Sequence, residues 1–322
     1  MSEPQTPRIV VCGEALIDLF VSSDAHGKID TVAKLAGAPY NLAIGLARLG
    51  EKVALCAGLS TDLFGKALRH ALISEGVSDA FLEEYTEPTM LVLVSRDAQG
   101  SPSYSFPVST SAERQLTGRR FRDAQSPVDV LVLGSYLIVF PDPQKHLLGI
   151  VADKKSDTLI CLDPNVRLGI VPDKKLWREA VEKFLPLADM VKASEEDIAA
   201  LYPDVPVEAV ATAWLGKGAR LVIVTAGGDG ATAWFGTHEK FTIKGVAVNV
   251  IDTVGAGDSF LAALLSSLRE QQVLTKTSFD GLTADILAKA MRMANIAASI
   301  TCSRLGADLP DRAMIAKHLE QK

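Results

Sequence analysis

Short apolar runs rich in β-branched residues alternate along this chain with longer segments whose apolar positions recur every three or four residues. Residues 8–20 (RIVVCGEALIDLF) open as a buried strand. KVALCAGLS, VDVLVLGS (128–135), DTLICLDP (157–164), ADMVKAS (188–194) and RLVIVTAG (220–227) repeat that pattern. Between them YNLAIGLARLG (40–50), DLFGKALRHALISEG (62–76), PQKHLLGIVADKK, KLWREAVEKFLP, SEEDIAALYP and VEAVATAWLGKG have helical spacing. Gly50 and Gly76 stand where two of these helices should stop. Strands alternating with helices predict a parallel sheet covered on both faces.

Two regions break the rhythm. Residues 18–35 read as two strands around a turn at His26–Gly27, and residues 89–108 alternate apolar and polar positions around a turn at Asp97–Gly100. Both predict antiparallel hairpins with one open face, a small β flap on an α/β body. An open β face calls for a cover: a ligand, a partner subunit or both.

Composition narrows the class. The 322 residues are 48% hydrophobic and 22% charged, with a net charge of −6 and no basic block. A core of useful size is available, and a nucleic-acid partner is disfavoured. Cys12, Cys56, Cys161 and Cys302 are far apart, each in an apolar run, which predicts reduced buried thiols rather than disulfides or a metal site. The polar start MSEPQTPR is no signal peptide, and no apolar run approaches membrane-spanning length, so a cytoplasmic location and no membrane partner are expected.

Five stretches carry candidate chemistry. In DTVGAGDSF (252–260), Gly255, Ala256 and Gly257 precede Asp258 and an apolar, helix-like run. Side-chain-poor residues before a helix N-terminus expose backbone N–H groups, and the helix dipole favours an anion there. Asp258 either caps that helix or takes a proton from a substrate hydroxyl. In AGAPYN (36–41), Gly37 and Pro39 form a turn; Asn41 is a helix N-cap or a hydrogen-bonding group for a hydroxyl-rich ligand. Asp18 lies near a strand end in apolar surroundings, either meeting water or accepting sugar hydroxyls. LDPNVR (162–167) gathers Asp163, Asn165 and Arg167, where the cation braces a loop or neutralises a polyphosphate. In VTAGGDG (224–230), Thr225, Gly227 and Gly230 suit a nucleotide phosphate, although a hairpin turn reads the same way.

Strand carboxyl ends of one α/β sheet are where ligands bind, so five such signals together outweigh each alone. There is no GxxxxGK[ST], no GxSxG and no dinucleotide fingerprint after the first strand.

AGAPYN…RLG…G (36–58) and DTVGAGDSFLAALL (252–265), in that order, resemble the two signatures of the ribokinase-like (PfkB) carbohydrate kinases, and the similarity spans residues 8–320. The resemblance implies a single domain over residues 1–322, a three-layer α/β/α sandwich with a small β-sheet lid. It implies transfer of the ATP γ-phosphate to a sugar hydroxymethyl group with Mg²⁺. Asp258 would then be the base, with Gly255, Ala256 and Gly257 as the anion hole. Asp18, Gly37, Asn41 and Arg167 would meet the sugar, joined by Phe106 and Arg114 from SYSFPVSTSAERQL (103–116). Thr225, Gly227 and Gly230 would line the nucleotide phosphates, and Asn295 and Gly306 the adenine. Where members often carry Asn-x-x-Glu near the metal, KASEEDI places Ser194 and Asp197, so Asp197 would hold Mg²⁺ through water, with Glu195 or Glu196 as substitutes. Asp252 and the backbone of Ser303–Gly306 would hold K⁺. Within the family the sugar-facing stretches look most like fructokinases, with 2-keto-3-deoxygluconate kinases and ribokinases as alternatives. A homodimer paired through the lids is expected, and a non-catalytic binding protein on the same fold is the reading from another class.

Overall fold

The computed structural model describes residues 6–23, 28–96, 102–106, 110–236 and 239–320. The strands among them are β1 (Ile9–Cys12), β2 (Leu16–Ser23), β3 (Ile29–Ala36), β4 (Val53–Cys56), β5 (Gly58–Ser60), β6 (Glu83–Tyr85), β7 (Leu91–Arg96), β8 (Pro102–Ser105), β9 (Val130–Gly134), β10 (Leu159–Asp163), β11 (Met190–Ser194), β12 (Leu221–Thr225), β13 (Ala231–Phe235) and β14 (Glu239–Ile243). The helices are α1 (Ala38–Arg48), α2 (Leu63–Ser74), α3 (Arg119–Asp123), α4 (Pro141–Lys154), α5 (Lys174–Phe184), α6 (Glu195–Leu201), α7 (Val207–Gly216), α8 (Ala256–Glu270), α9 (Ala284–Cys302) and α10 (Arg312–Glu320).

The main sheet runs β14-β13-β12-β11-β10-β9-β1-β4. From β4 to β12 all pairings are parallel, as alternation with helices predicts. β13 and β14 then run antiparallel, so the sheet is mixed rather than wholly parallel. The reason is local: only Ala226–Gly230 joins β12 to β13, too short for a crossover helix.

Both faces are buried. Ile9 and Val11 of β1 enter one core with residues of α1, α2, α8 and α9, while Val10 and Cys12 enter the other with residues of α4–α7. This strict alternation is the pleat, and it produces the expected three layers. Cys12, Cys56 and Cys161 are buried free thiols; Cys302 is half-buried and also unpaired. No helix among the described residues is long and apolar enough to cross a membrane.

The two hairpins form as expected, with their turns at His26–Gly27 and Asp97–Gly100 lying outside the described residues. Parallel pairing of β2 with β7 joins them into one four-stranded lid, β3-β2-β7-β8. KVALCAGLS, read as one strand, divides: β4 stays in the main sheet and β5 turns away to pair with β6.

Candidate active site

The carboxyl ends of β1, β9, β10, β11 and β12 lie side by side, and the chemistry-bearing residues leave from them. The glycines of the 252–258 loop serve two separate needs. Gly255 has φ +80 and is the N-cap of α8; a Cβ there would also strike Ala307 at 2.8 Å. Gly257 has no such φ, but a Cβ on it would come within 3.0 Å of Lys192 Nζ. In this first helical turn the N–H of Ala256, a residue expected in the anion hole, donates to Thr253 O at 3.2 Å, while Gly257 and Asp258 leave N–H groups of the kind that suits an anion.

Asp258 follows in the same turn. It does not cap α8, since Gly255 holds that position without a side-chain bond. Instead one carboxylate oxygen accepts a 3.0 Å hydrogen bond from Asn41 Nδ2. Burial pushes the Asp258 carboxyl up to about 6, against the lowering effects of the Asn41 bond, Lys192 and Arg167. A carboxylate with that value is ionised at neutral pH and still a useful proton acceptor.

Asn41 itself is not an N-cap. Gly37, at φ +116, caps α1, Pro39 lies in its first turn, and Asn41 is a turn further in, where the helix aims its amide at Asp258. A Cβ on Gly37 would meet the Glu14 carbonyl at 2.8 Å, so only glycine lets α1 begin this close to β1.

On the sugar side expected from the sequence, Asp18 of β2 stands opposite Lys34 of β3 in the lid. Burial raises its carboxyl to about 6, opposed by Arg167 and Lys34. Arg167 is exposed and near enough to Asp18, Glu14, Asp163 and Asp258 to act on all four. Arg114 stacks its guanidinium 3.9 Å from the centre of the Phe140 ring, and half-buried Phe106 packs against the same core as Phe140. A cavity of about 20 Å³ lies between Pro39, Ser135, Asp163, Asn165 and Asp258. Ser135 and Asn165 hold positive φ angles of 56 and 42 beside it, backbone states that non-glycine residues adopt at a cost.

Glu14, Ser135 and Lys192, at this edge, carry no motif that marks them as site residues in the sequence. Glu14, 2% exposed, accepts a 2.6 Å hydrogen bond from Ser135 Oγ, and burial drives its carboxyl up to about 7. Lys192, 4% exposed, donates to Asp163 Oδ2 at 3.0 Å. The signal for the lysine was a lone cation inside an apolar strand, which nothing local explains.

The nucleotide-side residues converge in part. Thr225–Gly230 forms the β12–β13 hairpin turn, the alternative that the sequence left open. Gly230 is packed against Ile243 O and Gly245 N, and Asn295 Nδ2 donates to Lys244 O at 3.0 Å, so the turn, the 244–245 segment and α9 form one wall. Asp252 accepts from Val254 N at 3.1 Å and from Gly306 N at 2.8 Å, which brings the 252–255 and 303–306 loops together.

Asp197 is the residue whose place differs most from expectation. One oxygen accepts from Val166 N at 2.7 Å; the other accepts from Ser194 N and Oγ, each at 2.8 Å, closing a capping box on α6. It is a strut between two loops rather than an open ligand. Glu195 and Glu196 are exposed. Among the described residues no three His, Cys, Asp or Glu side chains converge to hold a metal.

This geometry has close relatives. A pfkB family carbohydrate kinase domain matches residues 6–313. The chain is 31% identical over 280 residues to a fructokinase of Rhizobium leguminosarum bv. trifolii, covering 87% of this chain and 85% of that one. A fructokinase of Vibrio alginolyticus is 27% identical over 98% of this chain and 99% of its own. The crystal structure of a Vibrio cholerae fructokinase with fructose, ADP and calcium superposes with a TM-score of 0.79 at 25% identity, over 97% of this chain and 98% of that one. A Xylella fastidiosa fructokinase with bound ATP shares the fold at a TM-score of 0.86 and 22% identity, over 98% of each chain. With a glycine-bounded helix start, a buried carboxylate in its first turn and a family match over nearly the whole length, the chain belongs to the pfkB family of carbohydrate kinases and is an ATP-dependent sugar kinase.

Proposed function

We propose that the sugar is fructose and that Asp258 is the base that activates its hydroxymethyl group. The observation that carries the chemistry is the pairing of an anion-binding helix start with Asp258, held by Asn41 and raised to about 6. The choice of sugar is supported by relatives named as fructokinases at about 30% identity and by the Asp18 carboxyl on the lid, which suits hydroxyls better than a sugar acid.

Fructose binds under the lid with its hydroxyls on Asp18 and Asn41. Its hydroxymethyl oxygen gives its proton to Asp258 and forms a bond to the γ-phosphorus as the bond from that phosphorus to the β-phosphate oxygen breaks. ADP leaves, and Asp258 returns its proton to solvent. The N–H groups of Gly255 and Gly257 stabilise charge on the transferring group, that of Ala256 being bonded to Thr253 O. ATP lies along the wall formed by Thr225, Gly227, Gly230 and Asn295, with Gly306 at its far end. Mg²⁺ would accompany the nucleotide, held by its phosphates and water, and would neutralise phosphate charge; among the described residues no cluster of carboxylates is open to it, and both Asp197 oxygens are already bonded. K⁺ would sit at the junction that Asp252 makes with residues 303–306. Phe20, Ile29 and Val32 are exposed on the lid, and pairing of two lids in a homodimer would cover them.

An ADP-release assay with Mg·ATP against fructose, 2-keto-3-deoxygluconate and ribose tests the substrate. Fructose should give the highest kcat/KM; a clear preference for either other sugar overturns the choice.

A further inference from the structure

Lys192 is a buried cation with a charge partner on one side and the anion-binding loop on the other. Met190 faces the core layer that contains α8, so by strand alternation Lys192 faces it too, and Asp163 follows Leu159 and Cys161 to the same face on neighbouring β10. The two side chains meet at 3.0 Å beneath the start of α8. One of the three ammonium donors is satisfied by Asp163 Oδ2, its one side-chain partner among the described residues. The Nζ lies so close under Gly257 that a single added methyl group would come within 3.0 Å of it. The backbone of Gly257 does not demand glycine; the one group a Cβ there would crowd is the ammonium.

We propose that Lys192 is a catalytic cation of the phosphoryl transfer: its free N–H donors meet the oxygens of the transferring phosphoryl group through the gap at Gly257, while Asp163 anchors it from behind. Asp163, at 3.0 Å from the ammonium, offsets the cost of burying its charge. A fixed charge in a site closed to water stabilises developing phosphoryl charge without reorganising, which is the requirement for electrostatic catalysis. The same charge also favours the ionised form of Asp258.

The assignment rests on the kinase reading above, and its test separates the two. Lys192→Met removes the cation but leaves Asp163 buried alone, which costs stability. Lys192→Met/Asp163→Asn removes both charges and keeps the shape. Each variant is compared with wild type for kcat, for KM of fructose and ATP, and for affinity towards ADP with aluminium fluoride, a mimic of the transferring group. We expect kcat to fall by about 10² or more in both variants, KM values to move less than about threefold, and the affinity gained on adding aluminium fluoride to be lost. A double variant that returns to within about threefold of wild-type kcat and keeps that gain would show the pair to be a strut and overturn the assignment. Wild-type protein that phosphorylates no sugar would instead overturn the kinase reading and this one with it.

Discussion

Asn41 and Asp258, 217 positions apart, are joined by a 3.0 Å hydrogen bond from the amide to the carboxylate. Each belongs to one of the two stretches that mark the family, and the bond explains why they occur together: α1 orients the residue that α8 presents. The bond is to the ionised form, so it opposes the burial that raises the Asp258 carboxyl to about 6.

The pH profile follows from that balance. A base must be deprotonated, so kcat/KM should fall about tenfold per unit once pH drops below about 6. Asn41→Ala removes a bond that favours the charged form, so its acid limb should move to higher pH. Measured kcat/KM from pH 4.5 to 8 checks both; a limb near 4 in wild type would contradict the assignment.

The two loop glycines should fail differently. Gly255→Ala forces an L side chain into φ +80 against Ala307 and should cost about 1–3 kcal/mol of stability. Gly257→Ala has helical backbone and meets only the flexible tip of Lys192, so its Tm should hold or rise slightly while kcat falls by at least about tenfold. Thermal melts and steady-state rates on the two variants test the contrast.

Asp18→Ala should separate the ligands. A charged hydrogen-bond acceptor lost from the sugar side should raise the fructose KM by at least about tenfold, with the ATP KM within about twofold. Equal weakening of both ligands in calorimetry would remove Asp18 from the sugar site.

Glu14 should make stability depend on pH. Its carboxyl lies at about 7 in the folded chain against an ordinary 4.5, so the native state holds the proton more tightly. The stabilising contribution is full below pH 4.5 and is lost as pH rises to about 7. Glu14→Gln keeps an acceptor for Ser135 and cannot ionise. Its Tm advantage over wild type should therefore widen from pH 5 to pH 8, and a constant difference would contradict the account.

What the sequence shows and hides can be read from these residues. The apolar strands and the lid hairpins were legible because burial on two faces, or on one, sets the hydrophobic period directly. The antiparallel β13 and β14 were not, since ATAWF and EKFTI are five residues each and the turn before them carries phosphate-loop glycines. For Asp258 and Asn41 the sequence leaves cap and site residue as alternatives, because capping is decided by which residue takes the non-helical φ, here Gly255 and Gly37. The family resemblance implies Asp197 near a metal, but its oxygens close a capping box and hold the Val166 N–H, which spacing alone does not reveal. Lys192 went unseen because its partner lies 29 positions away on another strand and its neighbour Gly257 on a helix.

The central claim is that Asp258 accepts the proton of the attacking hydroxymethyl group. The most direct test is kcat with Mg·ATP and fructose for Asp258→Asn beside wild type, with sugar affinity measured in parallel. The account predicts a loss in kcat of about 10² to 10⁴ with sugar affinity largely kept. A variant that turns over at near wild-type kcat would contradict it.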